Sequence, residues 1–190
     1  MEGEGLENEA MGGVPSELSG TDDERFMREA LKEARRAADK GEVPVGAVIV
    51  RDGQIVGRGH NLRERLGDPT AHAELLAIRQ AAQVVGGWRL NGCTLYVTME
   101  PCPMCAGAAI LSRLQRLVYG APDPKAGAAG SCLDLLSLTC FNHQVAVTGG
   151  VCGEACAGIV QGFFKRLRAA GDKALSPEET ADGDENRDEF

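Results

Sequence analysis

The chain has 190 residues and a net charge of −8, from 28 Asp and Glu against 20 Lys and Arg, which suits one ordinary domain with appendages and enough chain to bury a sizeable core. No apolar run approaches the ~20 residues that span a membrane, and no charged-then-apolar leader marks secretion, so the sequence predicts a cytoplasmic protein with no membrane association. Seven cysteines is an odd number, and reduced thiols fit that compartment better than disulfides.

Residues 1–24 hold eight acids and no Lys or Arg. Residues 1–20, rich in Gly and Glu and poor in large apolar side chains, read as a disordered acidic extension. Asp22 to Lys40 reads as an amphipathic helix with Phe26, Ala30, Ala34 and Ala37 at helical spacing and Thr21 as a candidate cap. Pro44 to Val50 and Gln54 to Arg58 read as two strands joined by Asp52-Gly53, a strong hairpin signal. A helix rich in good formers runs on from His72, after the turn chemistry of Asp68-Pro69-Thr70. Thr94 to Glu100 reads as a strand, followed by a helix from Cys102 whose first turn suits proline. A strand at Leu117 to Gly120, a small-residue loop at Gly127 to Ser131, a strand at Gln144 to Thr148 and a helix from Ala155 to Ala169 complete a domain over 21–171. Residues 172–190, with eight acids and two bases, read as a second disordered acidic tail. This order implies a sheet sandwiched between helices. Residues 25–171 hold eighteen bases against twelve acids, a body of +6. Such a body either faces an anionic partner such as nucleic acid or scatters its bases over a soluble surface.

The chemistry lies in His72-Ala73-Glu74 and Glu100-Pro101-Cys102-Pro103-Met104-Cys105. A lone His-x-Glu is common by chance, and a lone Cys-x-x-Cys is half a zinc ribbon, a redox pair or two buried thiols. No second Cys-x-x-Cys is present to complete a ribbon. Together the halves offer three metal ligands and one free carboxylate, and catalytic zinc sites use three protein ligands so that a position stays open for water. The predicted ligands of one zinc ion per chain are His72, Cys102 and Cys105, with Glu74 as a proton carrier that is not a ligand. His-x-Glu followed by Pro-Cys-x-x-Cys is the established signature of zinc deaminases. Both halves fall at predicted helix N-termini, whose partial positive charge favours thiolate over thiol. On a regular helix His72 and Glu74 would point about 200° apart, so a shared site must lie off the helix end.

Residues ~21–170 resemble the bacterial tRNA-specific adenosine deaminases, which convert the wobble adenosine of an arginine tRNA anticodon to inosine. The resemblance rests on Glu-Val-Pro-Val-Gly-Ala-Val-Ile-Val (42–50), Asp-Pro-Thr-Ala-His-Ala-Glu (68–74) and Thr-Leu-Tyr-Val-Thr-Met-Glu-Pro-Cys-Pro-Met-Cys-Ala-Gly-Ala (94–108). The zinc motifs match guanine deaminases nearly as well. The loop from Gly120 to Ser131 and Phe163-Phe164 with the following Lys and Arg match the tRNA enzymes more closely. An anticodon-loop enzyme needs cationic and aromatic surface outside its pocket, whereas a free-base enzyme needs only the pocket. The resemblance implies a three-layer α/β/α cytidine deaminase-like fold around a central, mostly five-stranded mixed sheet. It also implies a homodimer and a tRNA anticodon stem-loop as partner. Carried over residue by residue, it assigns substrate binding to Asn61, Ala73, Asp123 and Phe164. Asn61 would contact the base, Asp123 would lie near the flipped nucleotide's ribose and backbone, and the Ala73 N–H would help hold the base. The plainer roles are a strand end for Asn61, a turn for Asp123 and core packing for the last helix. Two other readings stay open: a free-base guanine or cytosine deaminase, and an inactive RNA-binding subunit that keeps the metal for structure. Cys140, His143, Cys152 and Cys156 have spacings that suit either a second, structural zinc or free thiols.

Overall fold

The computed structural model describes residues 20–175. Its elements are α1 (Gly20–Ala38), β1 (Gly46–Arg51), β2 (Gln54–His60), α2 (Arg63–Leu66), α3 (Ala73–Val85), β3 (Cys93–Met99), α4 (Pro103–Leu111), β4 (Arg116–Ala121), β5 (Ala146–Thr148) and α5 (Gly153–Leu175). The five strands form one mixed sheet in the order β2-β1-β3-β4-β5. The pairs β2–β1 and β1–β3 are antiparallel, and β3–β4 and β4–β5 are parallel.

Side-chain alternation explains the layers, because successive strand residues point to opposite faces. Ala47 and Ile49 of β1, Leu95 and Val97 of β3 and Leu117 of β4 are buried with Ala73, Ala77 and Ala81 of α3 and Ala106 and Ala109 of α4. Val48, Tyr96 and Val118 face the other way and are buried with Phe26, Met27 and Ala30 of α1 and Cys156 of α5. The result is the expected three-layer α/β/α fold with a five-stranded mixed sheet. Strand β3 lies at the centre and is covered on both faces, so its apolar run is continuous rather than alternating. At the β1–β2 hairpin, Asp52 and Gly53 have φ of 50° and 72°, the left-handed pair that a two-residue turn between twisted strands demands.

Close approach of α3 to β2 fixes the site-bearing end of that helix. A Cβ on Gly59 would overlap the Ala73 carbonyl oxygen, and one on Gly57 would overlap that of Ala77. Glycine in the strand and alanine on the helix therefore let the two backbones meet.

Several boundaries differ from the sequence expectations. α1 begins at Gly20, so Thr21 lies inside the first turn rather than at the cap. α3 begins at Ala73 with His72 as its extended cap residue, and α4 begins at Pro103 with Cys102 in the same role. The strand expected from Gln144 starts at Ala146, because β5 pairs with β4 over three residues only. The turn α2 is not signalled by any periodicity in the sequence. The two acidic tails expected at 1–20 and 172–190 fall largely outside the described residues, and α5 itself runs on to Leu175.

A buried polar anchor joins α1 to three strands. Asp23 accepts from the Tyr96 hydroxyl at 2.8 Å and from two Arg116 nitrogens at 2.8 and 2.7 Å. Arg116 also donates to the Thr148 hydroxyl at 2.9 Å. Burial, followed by the Asp23 carboxylate, pushes the Tyr96 phenol up, so it stays a donor. Replacing Asp23 with Ala leaves a largely buried guanidinium without its counter-charge, which should cost on the order of 3 kcal/mol in a urea unfolding titration. A change below about 0.5 kcal/mol would show that solvent relieves Arg116.

Candidate active site

Strand register brings four strand ends to one end of the sheet, where the N-terminus of α3 joins them. Gly46 at the start of β1 pairs with His60 at the end of β2, Ala47 pairs with Val97 near the end of β3, and Met99 pairs with Ala121 at the end of β4. The residues just beyond these ends therefore converge. Val43, Val45, Asn61, Met99, Glu100 and Asp123 line one cleft with Arg63, His72, Glu74, Cys102 and Ala126. Its volume is about 210 Å³. Ligand pockets run from ~300 Å³ upward, so the cleft takes something the size of a single base and not a folded RNA.

Two helix N-termini meet at this cleft. His72 caps α3 at φ −80° and ψ 149°, and its side chain makes no capping hydrogen bond. Cys102 holds the matching position on α4, with Cys105 inside the first turn. The Nδ1 atom of His72 lies 3.7 Å from the Cys102 Sγ and 3.6 Å from the Cys105 Sγ. The three ligand atoms all lie within 4.8 Å of one another. A tetrahedral zinc with Zn–N of ~2.05 Å and Zn–S of ~2.3 Å requires N···S edges of about 3.6 Å. The donor set and its spacing fit that ion. It is the one such group among the described residues.

The charges match a metal site. Cys102 is held down to about 4, first by a hydrogen bond from the Cys105 thiol and then, against the cost of burial, by His72. Cys105 is pushed up by its bond to Cys102 and by burial. The pair therefore shares one thiol proton, which a bound dication would displace. His72 is raised, chiefly by its bond to Cys102. Glu74 is only 4% exposed and is raised by burial, with its own backbone N–H and the His72 cation opposing. It is not a member of the three-atom ligand group. Because His72 is a cap residue and Glu74 lies inside the helix, the 200° conflict of a regular helix does not arise.

Of the other expected residues, Asn61 is 6% exposed and lines the cleft one residue beyond β2. Its N–H donates to the Val45 carbonyl at 3.1 Å. Ala73 has a fully buried methyl group and opens α3 between His72 and Glu74. As a first-turn residue its N–H has no partner within the helix. Asp123 lines the cleft and is also a turn residue, since its Oδ1 accepts from the N–H groups of Lys125 at 2.9 Å and Ala126 at 3.3 Å. Phe164 does not line the cleft. It stands on α5, 38% exposed, with its ring edge-on to Phe163 at 5.4 Å. The structure does not gather Cys140, His143, Cys152 and Cys156. Cys156 is buried under Gly120, Cys140 is exposed, and the His143 ring nitrogen Nε2 lies 2.6 Å from the Leu114 carbonyl.

Two buried acids missing from the expected set support the cleft. Glu42, 1% exposed, accepts from the N–H groups of Arg65 at 2.8 Å and Glu64 at 3.3 Å. It thereby holds the short α2 turn that presents Arg63. Glu100, 3% exposed, accepts from the N–H groups of Asp123, Ala129 and Ser131. Both sit in quoted motif segments, yet each binds residues 22 or more positions away, so local pattern gives no hint of the partner.

Residues 21–168 match the MafB19-like deaminase family. The chain is 54% identical over 148 residues to the tRNA-specific adenosine deaminase of Bacillus subtilis (strain 168), covering 78% of this chain and 92% of that protein. It is 47% identical over 161 residues to the chloroplastic tRNA(adenine(34)) deaminase of Arabidopsis thaliana, covering 76% of this chain and 12% of that longer protein. A structure from a study of A-to-I editing by tRNA deaminases at the wobble position has a TM-score of 0.69 at 46% identity, over 71% of this chain and 98% of that one. A guanine deaminase from Nitrosomonas europaea has a TM-score of 0.66 at 22% identity, over 84% and 98% of the two chains. That last likeness shows the fold alone.

The depressed Cys102 thiol yields a direct test. In protein stripped of metal, Cys102 should be largely thiolate at pH 6, where an ordinary cysteine is only roughly 0.3% thiolate. Brief iodoacetamide treatment followed by peptide mass spectrometry should label Cys102 well ahead of Cys105, and restoring zinc should protect both. Equal labelling of the two would show that the thiol proton is not held on Cys105.

Proposed function

The chain belongs to the MafB19-like deaminases and, within them, to the tRNA-specific adenosine deaminases; we propose that it hydrolyses the wobble adenosine of a tRNA anticodon to inosine at a single zinc site. The meeting of His72, Cys102 and Cys105 within ligand distance beside the buried, non-ligand Glu74 carries the deaminase chemistry, and the 54% identity to the Bacillus subtilis tRNA-specific adenosine deaminase carries the substrate. An arginine tRNA is the expected substrate on the family resemblance. A homodimer working in the cytoplasm is part of the same proposal and rests on the family resemblance.

When bound by His72, Cys102 and Cys105, zinc supplies the Lewis acidity that lets a water molecule ionise near neutral pH. Glu74 receives that water's proton and passes it to the substrate. Burial raises the Glu74 carboxyl above its ordinary value, which favours its taking up the water's proton. The water oxygen becomes O6 of the purine and the amino group leaves as ammonia, so adenosine and water give inosine and ammonia. The adenine must leave its stack to enter so small a cleft. The Asn61 carboxamide can both donate and accept, which suits a purine edge. The Ala73 N–H offers a further donor beside the base. Asp123 accepts from the ribose 2′-hydroxyl, the group that distinguishes RNA from DNA. Phe164 and the exposed Lys165, Arg166 and Arg168 serve the RNA outside the cleft, on α5.

The deciding assay incubates the zinc-loaded protein with an arginine anticodon stem-loop carrying adenosine at the wobble position, and separately with guanine and cytosine. Inosine and ammonia should appear with the RNA only. Product from a free base and none from RNA would make the chain a free-base deaminase. Glu74→Ala should lower turnover by 10⁴-fold or more while keeping about one zinc per chain, since general acid–base help alone is typically worth 10²–10⁴. His72→Ala should lose metal and activity together. Appreciable turnover by Glu74→Ala would overturn the proton-carrier role.

Salt provides a second check, on the RNA surface. Log affinity for the stem-loop should fall with log salt by about 0.7 per phosphate neutralised. Neutralising Lys165, Arg166 and Arg168 together should flatten that slope by up to about 2 and leave the zinc content unchanged. An unchanged slope would remove α5 from the RNA footprint.

A further inference from the structure

Glu100 stands between the last residue of β3 and the metal-site residue Cys102, buried to 3% exposure. Its own N–H donates to the Ala121 carbonyl at 2.8 Å, continuing the β3–β4 ladder. Its carboxylate is turned into the loop that follows β4. Oε2 accepts from the Asp123 N–H at 2.9 Å, and Oε1 accepts from the N–H groups of Ala129 at 2.9 Å and Ser131 at 3.0 Å. No Lys or Arg pairs with the carboxylate among the described residues. The loop thus wraps a single anion with its own amides, a charge-assisted arrangement roughly twice as strong per bond as neutral pairs. The wrap is tight. A Cβ on Gly127 would overlap the Glu100 carboxyl carbon. The Gly127 N–H closes onto the Asp123 carbonyl and the Ala128 N–H onto the Pro101 carbonyl, both at 2.8 Å. Asp123 and Ala126, on the same loop, line the cleft.

We propose that Glu100 is a positioning residue: the 121–131 loop folds around its carboxylate, and that wrap sets how tightly the flipped nucleotide is held. The role rests on the deaminase reading for its substrate. It acts through Asp123 and Ala126, and its demand for charge is specific. A glutamine at this position turns an NH₂ group toward at least one amide that now has an acceptor, whichever way the amide is flipped. An aspartate is one methylene too short to reach both ends of the loop.

The test uses the zinc-loaded protein, wild type beside Glu100→Gln, Glu100→Asp, Gly127→Ala and the double variant Glu100→Gln/Gly127→Ala. Stem-loop kinetics, zinc content and amide hydrogen exchange are measured for each. The three single variants Glu100→Gln, Glu100→Asp and Gly127→Ala should each keep about one zinc per chain and raise KM roughly ten- to a hundredfold, with a much smaller fall in kcat. Exchange should speed up at the amides of Asp123, Ala129 and Ser131, while β3 and α4 keep their protection. The double variant should be no worse than the poorer single, because both break one unit. A fall in kcat at unchanged KM, or loss of zinc, would place Glu100 with the metal chemistry and overturn the proposal. So would unchanged loop exchange. Should Glu100→Gln fail to fold, Gly127→Ala carries the test alone, because it keeps the carboxylate and only crowds it. Unchanged KM and unchanged loop exchange in that variant would overturn the proposal. Absence of inosine from the wild type would sink the deaminase reading instead, and the exchange arm would still judge the role of Glu100 in the loop.

Discussion

Everything at the working end of this molecule depends on two helix N-termini being held face to face across the end of one sheet. The partial positive charges of α3 and α4 fall where two thiols and an imidazole must share a small volume. That field favours thiolate, the form that binds metal, and Cys102 is depressed chiefly by the hydrogen bond from Cys105 and, against burial, by His72. The same crowding works against a further anion. Glu74 is buried beside the site and is pushed toward its protonated form. One environment thus holds a thiolate ready for metal and a carboxyl ready to exchange a proton, which is how environment separates the roles of neighbouring acids.

The sheet makes this meeting possible through register rather than through local sequence. Strand β3 runs antiparallel to β1 and parallel to β4. Loops that leave β3 and β4 therefore share an edge with the chain that enters β1 and leaves β2. α3 can come close only because Gly57 and Gly59 offer no side chain to its alanines. The buried Asp23–Arg116 pair secures the opposite layer, so α1 cannot drift from the strands whose other face carries the site.

Much of this was legible in the sequence, and the reason is that the informative signals were local. Asp52-Gly53 specifies its turn from two residues, and the β-branched and aromatic residues from Thr94 to Met99 announce a strand, though not its central place in the sheet. The spacing of Cys102 and Cys105 fixes both on one turn, while proline at 103 starts the helix. His72 and Glu74 were identified by motif, although only the cap geometry of His72 explains how they share a site. What stayed hidden was long-range. Glu42 and Glu100 look like ordinary acids beside a hairpin and a strand, and only the fold reveals that each collects backbone amides 22 to 31 residues away. The short α2 turn was missed for the same reason, because its stability comes from Glu42 and not from its own four residues.

The division between cleft and surface then explains why the zinc motif alone leaves the substrate open. His72, Glu74, Cys102 and Cys105 form a group that both tRNA-specific adenosine deaminases and guanine deaminases match in sequence. Asn61 and Asp123 reach the same cleft from β2 and from the loop after β4. Phe164 does not, for α5 belongs to the layer packed behind the sheet and exposes its aromatic and basic residues there. A base that enters a cleft this small must leave the rest of its polynucleotide outside. Beyond the metal-site residues the cleft presents the Asp123 carboxylate and the Arg63 cation, while Lys165, Arg166 and Arg168 stand exposed on α5. Asp123 and Arg63 thus share the cleft with His72 and Glu74, and only the α5 cations lie in a separate layer, where they can be changed without touching the metal site.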